Sequence, residues 1–130
     1  MKIVDIKEIA NTERHVKCPK GGFESYRGLI ESDGMGFGVC KTVIPKNDPQ
    51  HWHYKNHLEA CYCIEGEGEL TNLETGEKFF IKPDRMYVLD KNDDHTFQAL
   101  TNRVVLISIF NPPLTGKEVH KEDGSYSLRS

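Results

Sequence analysis

The chain lacks several features that would assign it to large classes of protein. It has 130 residues, a formal net charge of −3 and no block of basic residues. We therefore expect no nucleic-acid partner, because nucleic-acid binding requires a clustered positive surface. No apolar run approaches the length of a membrane span, and Met1–Asp5 has neither the apolar core nor the cleavage site of a signal peptide. A cytoplasmic protein without a membrane partner is the expectation.

The cysteines are few and lack the spacing of a structural zinc site. No Cys-x2-Cys pair occurs, which argues against a site built from all four. In a reducing compartment Cys18, Cys40, Cys61 and Cys63 are expected to remain free thiols. Cys61 and Cys63 lie two positions apart in an apolar run, so in a strand they would share a face. We expect both to pack in the core.

A helical period of useful length is also missing after Ala10. Ile3, Ile6 and Ile9 are spaced by three, which favours a short helix within 2–10, with a strand containing Ile3 and Val4 as the alternative. Short apolar stretches separated by turn signals follow. Strands are predicted at 23–30, 35–44, 60–64, 67–72, 77–81, 86–89, 95–100 and 103–110. The pattern predicts one all-β domain over 1–130, a sandwich or barrel with a ligand in its mouth.

The stretch from His51 to Gly66 concentrates side chains that can do chemistry. It reads His51-Trp52-His53-Tyr54-Lys55-Asn56-His57-Leu58-Glu59, then an apolar run, then Glu65-Gly66. If the segment is extended, the three histidines and Glu59 share one face, subject to a bend near Lys55-Asn56. Imidazoles and a carboxylate suit a divalent transition metal. A polar surface strand is the alternative interpretation of this segment. Gly66 at its end allows a tight turn.

Two motifs taken together are similar to those of the cupin superfamily. The first is His51-x-His53-x5-Glu59-x6-Gly66, with a longer gap before the glutamate than the usual three or four residues. The second runs from Pro83-Asp84 to Asp90-Lys91-Asn92-Asp93-Asp94-His95. There the superfamily has a Pro-x-Gly-x-x-His turn; here Asp90 and Asn92 replace its proline and glycine, and His95 takes the place of its histidine. The resemblance implies a cupin-type jelly-roll β-barrel with little helix.

A closer resemblance, to the ectoine synthases, covers nearly the whole chain. The matching segments, in this order, are Asp33–Phe37, His53–Ala60, Tyr62–Gly68, Met86–Asp90 and Phe110–His120. The resemblance implies an iron-dependent carbon–oxygen lyase, a hydro-lyase that cyclises Nγ-acetyl-L-2,4-diaminobutyrate to the compatible solute ectoine with loss of water, for osmotic protection. It also implies a homodimer, in which the apolar strand 103–110 is the segment expected to pair at the interface.

The same resemblance implies a set of iron ligands. Fe(II) is expected to be held by Glu59, Tyr87 and His95, a donor set that leaves open positions for substrate. Taken alone, a tyrosine in a β-strand usually packs, so only the resemblance makes Tyr87 a ligand. For Glu59, beside the histidines, metal ligation is favoured over a surface salt bridge. For His95, the cupin-like placement favours ligation over a surface loop. His51 and His53 are the cupin-like ligands that the closer resemblance leaves out.

The resemblance also implies a set of substrate contacts. These residues are Phe23, Arg27, Thr42, Tyr54, His57, Phe110 and Glu118. Arg27 would hold the substrate carboxylate, with an ordinary surface charge as the alternative, and Phe23 stands where many relatives carry tryptophan. The expected catalytic residues are Tyr54, His57 and Glu118. Glu118, or Tyr54 instead, would accept the amine proton, and His57 would protonate the departing water.

The tail and two competing classes of function complete the expectations. Residues 114–130 are expected to lie over the barrel mouth as a lid that excludes water. A non-catalytic cupin that senses or stores a small molecule is one alternative, and the absence of a DNA-binding segment counts against a regulator. A cupin dioxygenase is the other alternative, since an open Fe(II) site also binds oxygen. Cyclisation is redox-neutral, so oxygen uptake on substrate addition would distinguish a dioxygenase from a cyclising enzyme.

Overall fold

Two antiparallel β-sheets form the frame of the molecule, and they confirm the all-β prediction. A computed structural model describes residues 1–18, 22–116 and 118. The described strands are His15–Lys17 (β1), Glu24–Leu29 (β2), Gly38–Pro45 (β3), Gln50–Trp52 (β4), Leu58–Glu65 (β5), Gly68–Asn72 (β6), Lys78–Ile81 (β7), Met86–Leu89 (β8), His95–Ala99 (β9) and Arg103–Asn111 (β10). One sheet has the order β1-β2-β3-β10-β5-β8, and the other has the order β4-β9-β6-β7.

Alternation of side chains decides which face of each strand is buried. In β3, Cys40, Thr42 and Ile44 are buried while the residues between them are partly exposed. The longest strand, β10, lies in the centre of its sheet, with β3 on one edge and β5 on the other. The backbone groups on both of its edges already bond within the chain, so this strand has no free edge for a second copy, and only its outer face is available to an interface.

The helix content is small. The helix α1 spans Ile6–Ile9, inside the predicted range, and the Asp5 carboxylate caps it by accepting from the Lys7 N–H at 2.9 Å. Ile3 and Val4 lie outside any strand. A 3-10 turn, Glu31–Asp33, leads into Gly34 at the predicted Asp33-Gly34 turn. Within the described residues no helix is long and apolar enough to cross a membrane.

Turns join the strands largely where the sequence predicts them. The hairpin between β6 and β7 turns at 73–76, where the Gly76 N–H donates to the Asn72 carbonyl at 2.7 Å. Gly66 closes the first motif with φ 81°, and a Cβ there would collide with the Arg103 carbonyl oxygen. Only glycine combines that backbone conformation with that close approach. Pro19, Gly21 and Gly22 predict a further turn at 17–22, which lies partly outside the described residues.

The core lies between the two sheets and takes side chains from both. The Trp52 and Phe97 rings stack with centroids 5.9 Å apart, and Tyr87 stacks on Phe97 at the same distance. Cys61 and Cys63 are both buried here, as predicted, and all four cysteines are free. Because Tyr87 comes from the first sheet and the other two rings from the second, these contacts hold the two layers together.

Candidate active site

A small cavity opens between the inner faces of the sheets. Its volume is about 10 Å³, room for roughly one water molecule and far below the roughly 300–1,000 Å³ of ligand pockets. Its lining residues are Phe23, Ser25, Thr42, Trp52, Tyr54, Glu59, Cys61, Tyr87, Leu106, Ser108 and Phe110. Six of these are among the residues expected at the site, and they come from distant parts of the sequence.

Two of the three expected metal ligands, Glu59 and Tyr87, line this cavity, and His95 lies beside it in the opposite sheet. Glu59 pairs with Leu89, and Cys61 pairs with Tyr87, so Glu59 and Tyr87 are diagonal neighbours on the inner face of β5 and β8. His95 opens β9 in the opposite sheet, and its ring centroid lies 6.4 Å from that of Tyr87. Two oxygen donors on one side therefore face an imidazole on the other.

Each of these side chains has a buried polar atom with no hydrogen-bond partner in the described part of the chain. The atoms are Glu59 Oε1, Tyr87 OH and His95 Nε2. Buried polar atoms are almost always bonded. Other such atoms occur elsewhere, for example on His15 and Thr115, but these three lie close together and therefore require a common explanation. The nearest polar groups to Glu59 and Tyr87 are the Cys61 thiol and, for Glu59, the Ser108 hydroxyl. Among the described residues no group of three or more His, Cys, Asp or Glu side chains could hold a metal, so a metal site here would require the tyrosine as a donor.

The His95 ring is oriented by the turn that precedes it. Its Nδ1 lies 2.9 Å from the Asp93 carbonyl oxygen, which can only accept, so Nδ1 carries the hydrogen. Burial lowers the pKa of His95, which favours the neutral ring. The lone pair of the neutral ring then lies on Nε2, the unpartnered atom. This is the arrangement in which a histidine binds a metal ion.

Burial also shifts the pKa values of the two oxygen donors. It raises the pKa of Glu59 to about 8 and the pKa of Tyr87 well above its ordinary value. In both cases the charged form is penalised because the cavity offers little solvation. A bound cation removes that penalty, since the ion stabilises a carboxylate or phenolate directly. Two oxygens and one imidazole nitrogen fit a divalent iron.

The expectation that His51, His53, His57 and Glu59 share one face is wrong. The chain bends over 53–57, so the alternation of β4 does not continue into β5. His51 Nε2 lies 2.5 Å from Asp94 Oδ1 at the surface, and His53 Nδ1 lies 3.7 Å from the same oxygen. Only His57 and Glu59 are buried. The first two histidines therefore lie outside the cavity lining.

The expected catalytic residues on the bend lie beside the aromatic wall. Tyr54 lines the cavity, and its ring meets Phe110 edge to face at 5.6 Å. His57 is buried against the same phenylalanine, with ring centroids 6.0 Å apart. Burial lowers the pKa of His57 more than nearby Glu118 raises it. Its neutral form is therefore favoured.

Arg27 and Glu118 bind each other rather than line the cavity. The Arg27 side chain is fully buried; its Nη2 donates to the Glu118 carbonyl at 2.5 Å, and its Nη1 lies 3.7 Å from Glu118 Oε1. The Glu118 carboxylate also accepts from the N–H groups of Thr115 and Gly116 at 2.7 and 2.9 Å. Burial raises the pKa of Glu118, but these backbone hydrogen bonds outweigh it and leave the pKa below its ordinary value.

The start of the tail is anchored against the barrel. Leu114 is fully buried, and its carbonyl accepts from the Glu31 N–H at 2.7 Å. Gly116 packs against Ile30. The expected lid therefore begins with a fixed segment, while residue 117 and residues 119–130 lie outside the described part.

Sequence reasoning missed a row of small polar side chains on the cavity floor. Thr42 Oγ1 lies 2.9 Å from Ser108 Oγ, and Ser108 Oγ lies 3.7 Å from Cys61 Sγ. Ser25 is paired directly with Thr42 on the next strand. Ser108 carried a usable signal, because it is a polar residue at an inward position of an otherwise apolar strand. Trp52 was noted only as a neighbour of the histidines.

Structural comparison first identifies the fold. The cupin domain of Schizosaccharomyces pombe Cnp3 superposes with a TM-score of 0.59 at 14% identity, covering 69% of this chain and 64% of that one. At this identity the likeness shows the fold alone. Together with a two-sheet frame and a cavity between the sheets, it defines a cupin.

Sequence comparison then identifies the family. The ectoine synthase family matches residues 1–130. The L-ectoine synthase of Marinomonas sp. (strain MWYL1) is 48% identical over 124 residues, 95% of each chain. The crystal structure of ectoine synthase from P. lautus superposes with a TM-score of 0.83 at 39% identity, covering 89% of this chain and 81% of that one. The chain belongs to the ectoine synthase family and is an enzyme, a hydro-lyase.

Proposed function

We propose that this enzyme makes ectoine from Nγ-acetyl-L-2,4-diaminobutyrate with Fe(II) held by Glu59, Tyr87 and His95. The supporting observation is that Glu59 Oε1 and Tyr87 OH, on the cavity wall, and His95 Nε2, on a ring 6.4 Å from that of Tyr87, are buried donor atoms without a hydrogen-bond partner in the described residues. When bound, iron supplies a Lewis acid that polarises a carbonyl group. Ectoine is a compatible solute, so the proposed role is osmotic protection in the cytoplasm.

The proposed reaction is an internal condensation. The α-amine attacks the carbonyl carbon of the acetamide, and a carbon–nitrogen bond closes a six-membered ring. The carbonyl oxygen then leaves as water and takes both hydrogens of the attacking amine. No electrons are gained or lost, so neither oxygen nor a reductant is consumed.

The cavity has a volume of only about 10 Å³ in this structure, so binding of the substrate requires its walls to move apart. Trp52, Tyr54 and Phe110 form an aromatic wall whose rings leave little room for water. The Thr42 and Ser108 hydroxyls, which bond to each other on the same sheet as Phe110, can also hydrogen-bond to a polar group. Holding amine and acetamide in contact replaces a rare encounter in solution with a prepared geometry.

We assign proton transfer to Tyr54 and His57 rather than to Glu118. Tyr54 lines the cavity, and buried His57 on the same bend favours the neutral form that can accept a proton. The Glu118 carboxylate already accepts two backbone hydrogen bonds, and its lowered pKa makes it a weak base. Its position supports a role in holding the tail.

The reaction is tested by product analysis under anaerobic conditions. Purified protein is incubated with Fe(II) and Nγ-acetyl-L-2,4-diaminobutyrate, and ectoine is measured by NMR. We expect the cyclic amidine to form only with iron present. Folded protein that yields no ectoine at saturating substrate would overturn the proposal. Oxygen uptake on substrate addition in air would instead favour a dioxygenase.

We further propose that the enzyme is a homodimer that uses the outer face of the larger sheet. Adjacent strands β10, β5 and β8 expose a continuous apolar patch formed by Tyr62, Ile64, Met86, Val88 and Ile109. Patches of this kind mark interfaces, and β8 is also an unpaired edge of the sheet. A second copy of the chain fits both the apolar face and the family resemblance.

Sedimentation analysis tests the dimer. Val88→Lys should convert dimer to monomer, whereas Phe80→Lys, at a similarly exposed apolar position in the other sheet, should not. A monomeric wild type, or a dimer that Val88→Lys leaves intact, would contradict this interface.

A further inference from the structure

A single side-chain amide joins the bend that carries the proposed catalytic residues to the turn that carries a metal ligand. Asn92 Nδ2 donates to the Tyr54 carbonyl at 2.9 Å and to the His57 carbonyl at 3.1 Å. An amide NH2 group has two hydrogens, so both contacts can be made at once. They fall at positions 54 and 57, on either side of the two-residue turn 55–56.

The bend depends on such a contact because it lacks sheet pairing. Residues 53–57 lie between β4 and β5 and belong to neither strand. Their carbonyl groups therefore have no ladder partners and must find other donors. Asn92 supplies donors for two of them from a point more than thirty residues away in the sequence.

The backbone at Asn92 explains why this residue type suits the position. Its φ is 52°, in the left-handed region that glycine favours and asparagine tolerates. In the cupin motif a glycine stands here. Glycine would satisfy the backbone but has no side chain, whereas asparagine satisfies the backbone and also provides two hydrogen-bond donors.

The same turn orients the expected metal ligand. The Asp93 carbonyl accepts from His95 Nδ1 at 2.9 Å, one residue beyond Asn92. One short turn thus controls the His95 ring through its backbone and the Tyr54–His57 bend through a side chain. The two parts of the site are held in a fixed relation to each other.

We propose that Asn92 is a positioning residue that fixes Tyr54 and His57 relative to His95. The inference rests on the proposed function, since it takes Tyr54 and His57 to act on the substrate. Asn92 itself bonds only to backbone carbonyls of the bend in the described structure and has no direct part in the chemistry.

The decisive variant is Asn92→Gly, which keeps the left-handed backbone and removes the amide. Its matched control is Asn11→Gly, because Asn11 has φ 63° and its side chain makes no hydrogen bond with the described residues. We expect Asn92→Gly to lower kcat by about 10- to 100-fold, the range typical of lost supporting hydrogen bonds and small misplacements. KM and iron content should match those of Asn11→Gly, because the Asp93–His95 contact remains.

A second variant removes the donors without removing the side chain. Asn92→Asp places an oxygen where the NH2 group stood, facing two carbonyl oxygens, so we expect a larger loss of kcat than for Asn92→Gly. Amide hydrogen exchange gives a readout independent of activity. Exchange at residues 53–57 should be faster in both variants than in wild type and unchanged in Asn11→Gly.

Each outcome bears on the inference separately from the reaction. Unchanged kcat and unchanged exchange in Asn92→Gly would overturn the inference, even if wild type makes ectoine. Loss of iron in parallel with activity would also overturn it, because Asn92 would then act through His95. If wild type makes no ectoine, the proposed function fails. Faster amide exchange at 53–57 in the two Asn92 variants would still show that Asn92 holds the bend.

Discussion

Two buried polar groups on the inner side of the barrel differ in how their atoms are satisfied. Glu59, Tyr87 and His95 each present a donor atom that has no partner among the described residues. Arg27 and Glu118, equally buried, bond to each other and to the loop at 115–116, although Arg27 Nη1 approaches Glu118 Oε1 only to 3.7 Å. Both groups were expected at the active site from the same family resemblance.

The difference indicates different physical roles. A buried atom without a partner costs stability, and a protein keeps it where a ligand will bind. A buried pair that bonds internally connects segments, and removing one member leaves the other charge uncompensated. We therefore expect Glu59, Tyr87 and His95 to be required for metal binding and activity. We expect Arg27 and Glu118 to hold the tail on the barrel.

The largest effect is expected for Tyr87→Phe, which removes only the unpartnered hydroxyl. Iron content and turnover should both fall, turnover by about 100-fold or more if the ligand is lost, by analogy with removal of one strong electrostatic contact. The metal-free protein should unfold at the same temperature or higher, since an unsatisfied hydroxyl costs about 1–3 kcal/mol when buried. Metal analysis and thermal unfolding of the apoprotein test both parts.

Tyr26→Phe is the matched control for that experiment. Tyr26 lies on β2, stacks on His15 and is absent from the cavity lining. It should keep full iron content and activity. Full iron content in Tyr87→Phe would remove Tyr87 from the ligand set. Its unpartnered hydroxyl would then have no role in metal binding.

A smaller effect on turnover but a larger one on stability is expected for Arg27→Met. Removing the guanidinium leaves buried Glu118 uncompensated, which should destabilise the protein by about 3–5 kcal/mol. Iron content should be retained. Combining it with Glu118→Gln should cost less than the sum of the two single changes, because the residues interact. Chemical unfolding of the four proteins measures that coupling.

A different result would return Arg27 to its expected role. If Arg27→Met unfolds like wild type but raises KM strongly, the guanidinium binds the substrate carboxylate. Arg27 would then be a substrate-binding residue, and its contact with Glu118 would not be its main role.

Strand positions and buried faces were largely predictable from sequence, because alternation is a local signal. Residues 86–89 form a strand within the predicted bounds, and the inward positions of β10 follow the apolar pattern. The short strand β1 was missed, since three residues with one apolar side chain show no period. Such a strand exists only because β2 pairs with it.

The arrangement of the site residues was less predictable from local sequence patterns. The bend at 53–57 is held by an amide from Asn92, a contact that no local period reveals. The metal trio combines residues of three strands in two sheets, so family resemblance alone brought it together. The Arg27–Glu118 contact joins residues 91 positions apart, and the resemblance assigned both to substrate instead of to each other.

The smallest effect is expected at a third polar cluster, which is satisfied like the Arg27–Glu118 pair but lies near the surface. Asp33 bonds to Lys2 Nζ at 2.6 Å, to the Ile30 N–H at 2.8 Å and to Arg14 Nη1 at 3.0 Å. These contacts, the Lys2 hydrogen bond first, hold the pKa of Asp33 well below its ordinary value. Asp33→Asn should lower stability near neutral pH by about 1–2 kcal/mol, less than the buried pair, because solvent screens part of the interaction.

The pH dependence of that difference follows from the direction of the shift. Because the folded-state pKa of Asp33 is depressed, its contribution is fully present above the unfolded pKa, near 3.8, and is lost as the pH falls below that value. Wild type and Asp33→Asn should therefore differ in stability at neutral pH and converge in acid, whereas Asp48→Asn, in an exposed loop, should match wild type throughout. Urea unfolding at neutral and acidic pH measures the difference. A gap that stays constant with pH would show that the carboxylate charge of Asp33 contributes nothing and that only its shape and hydrogen-bond acceptors matter.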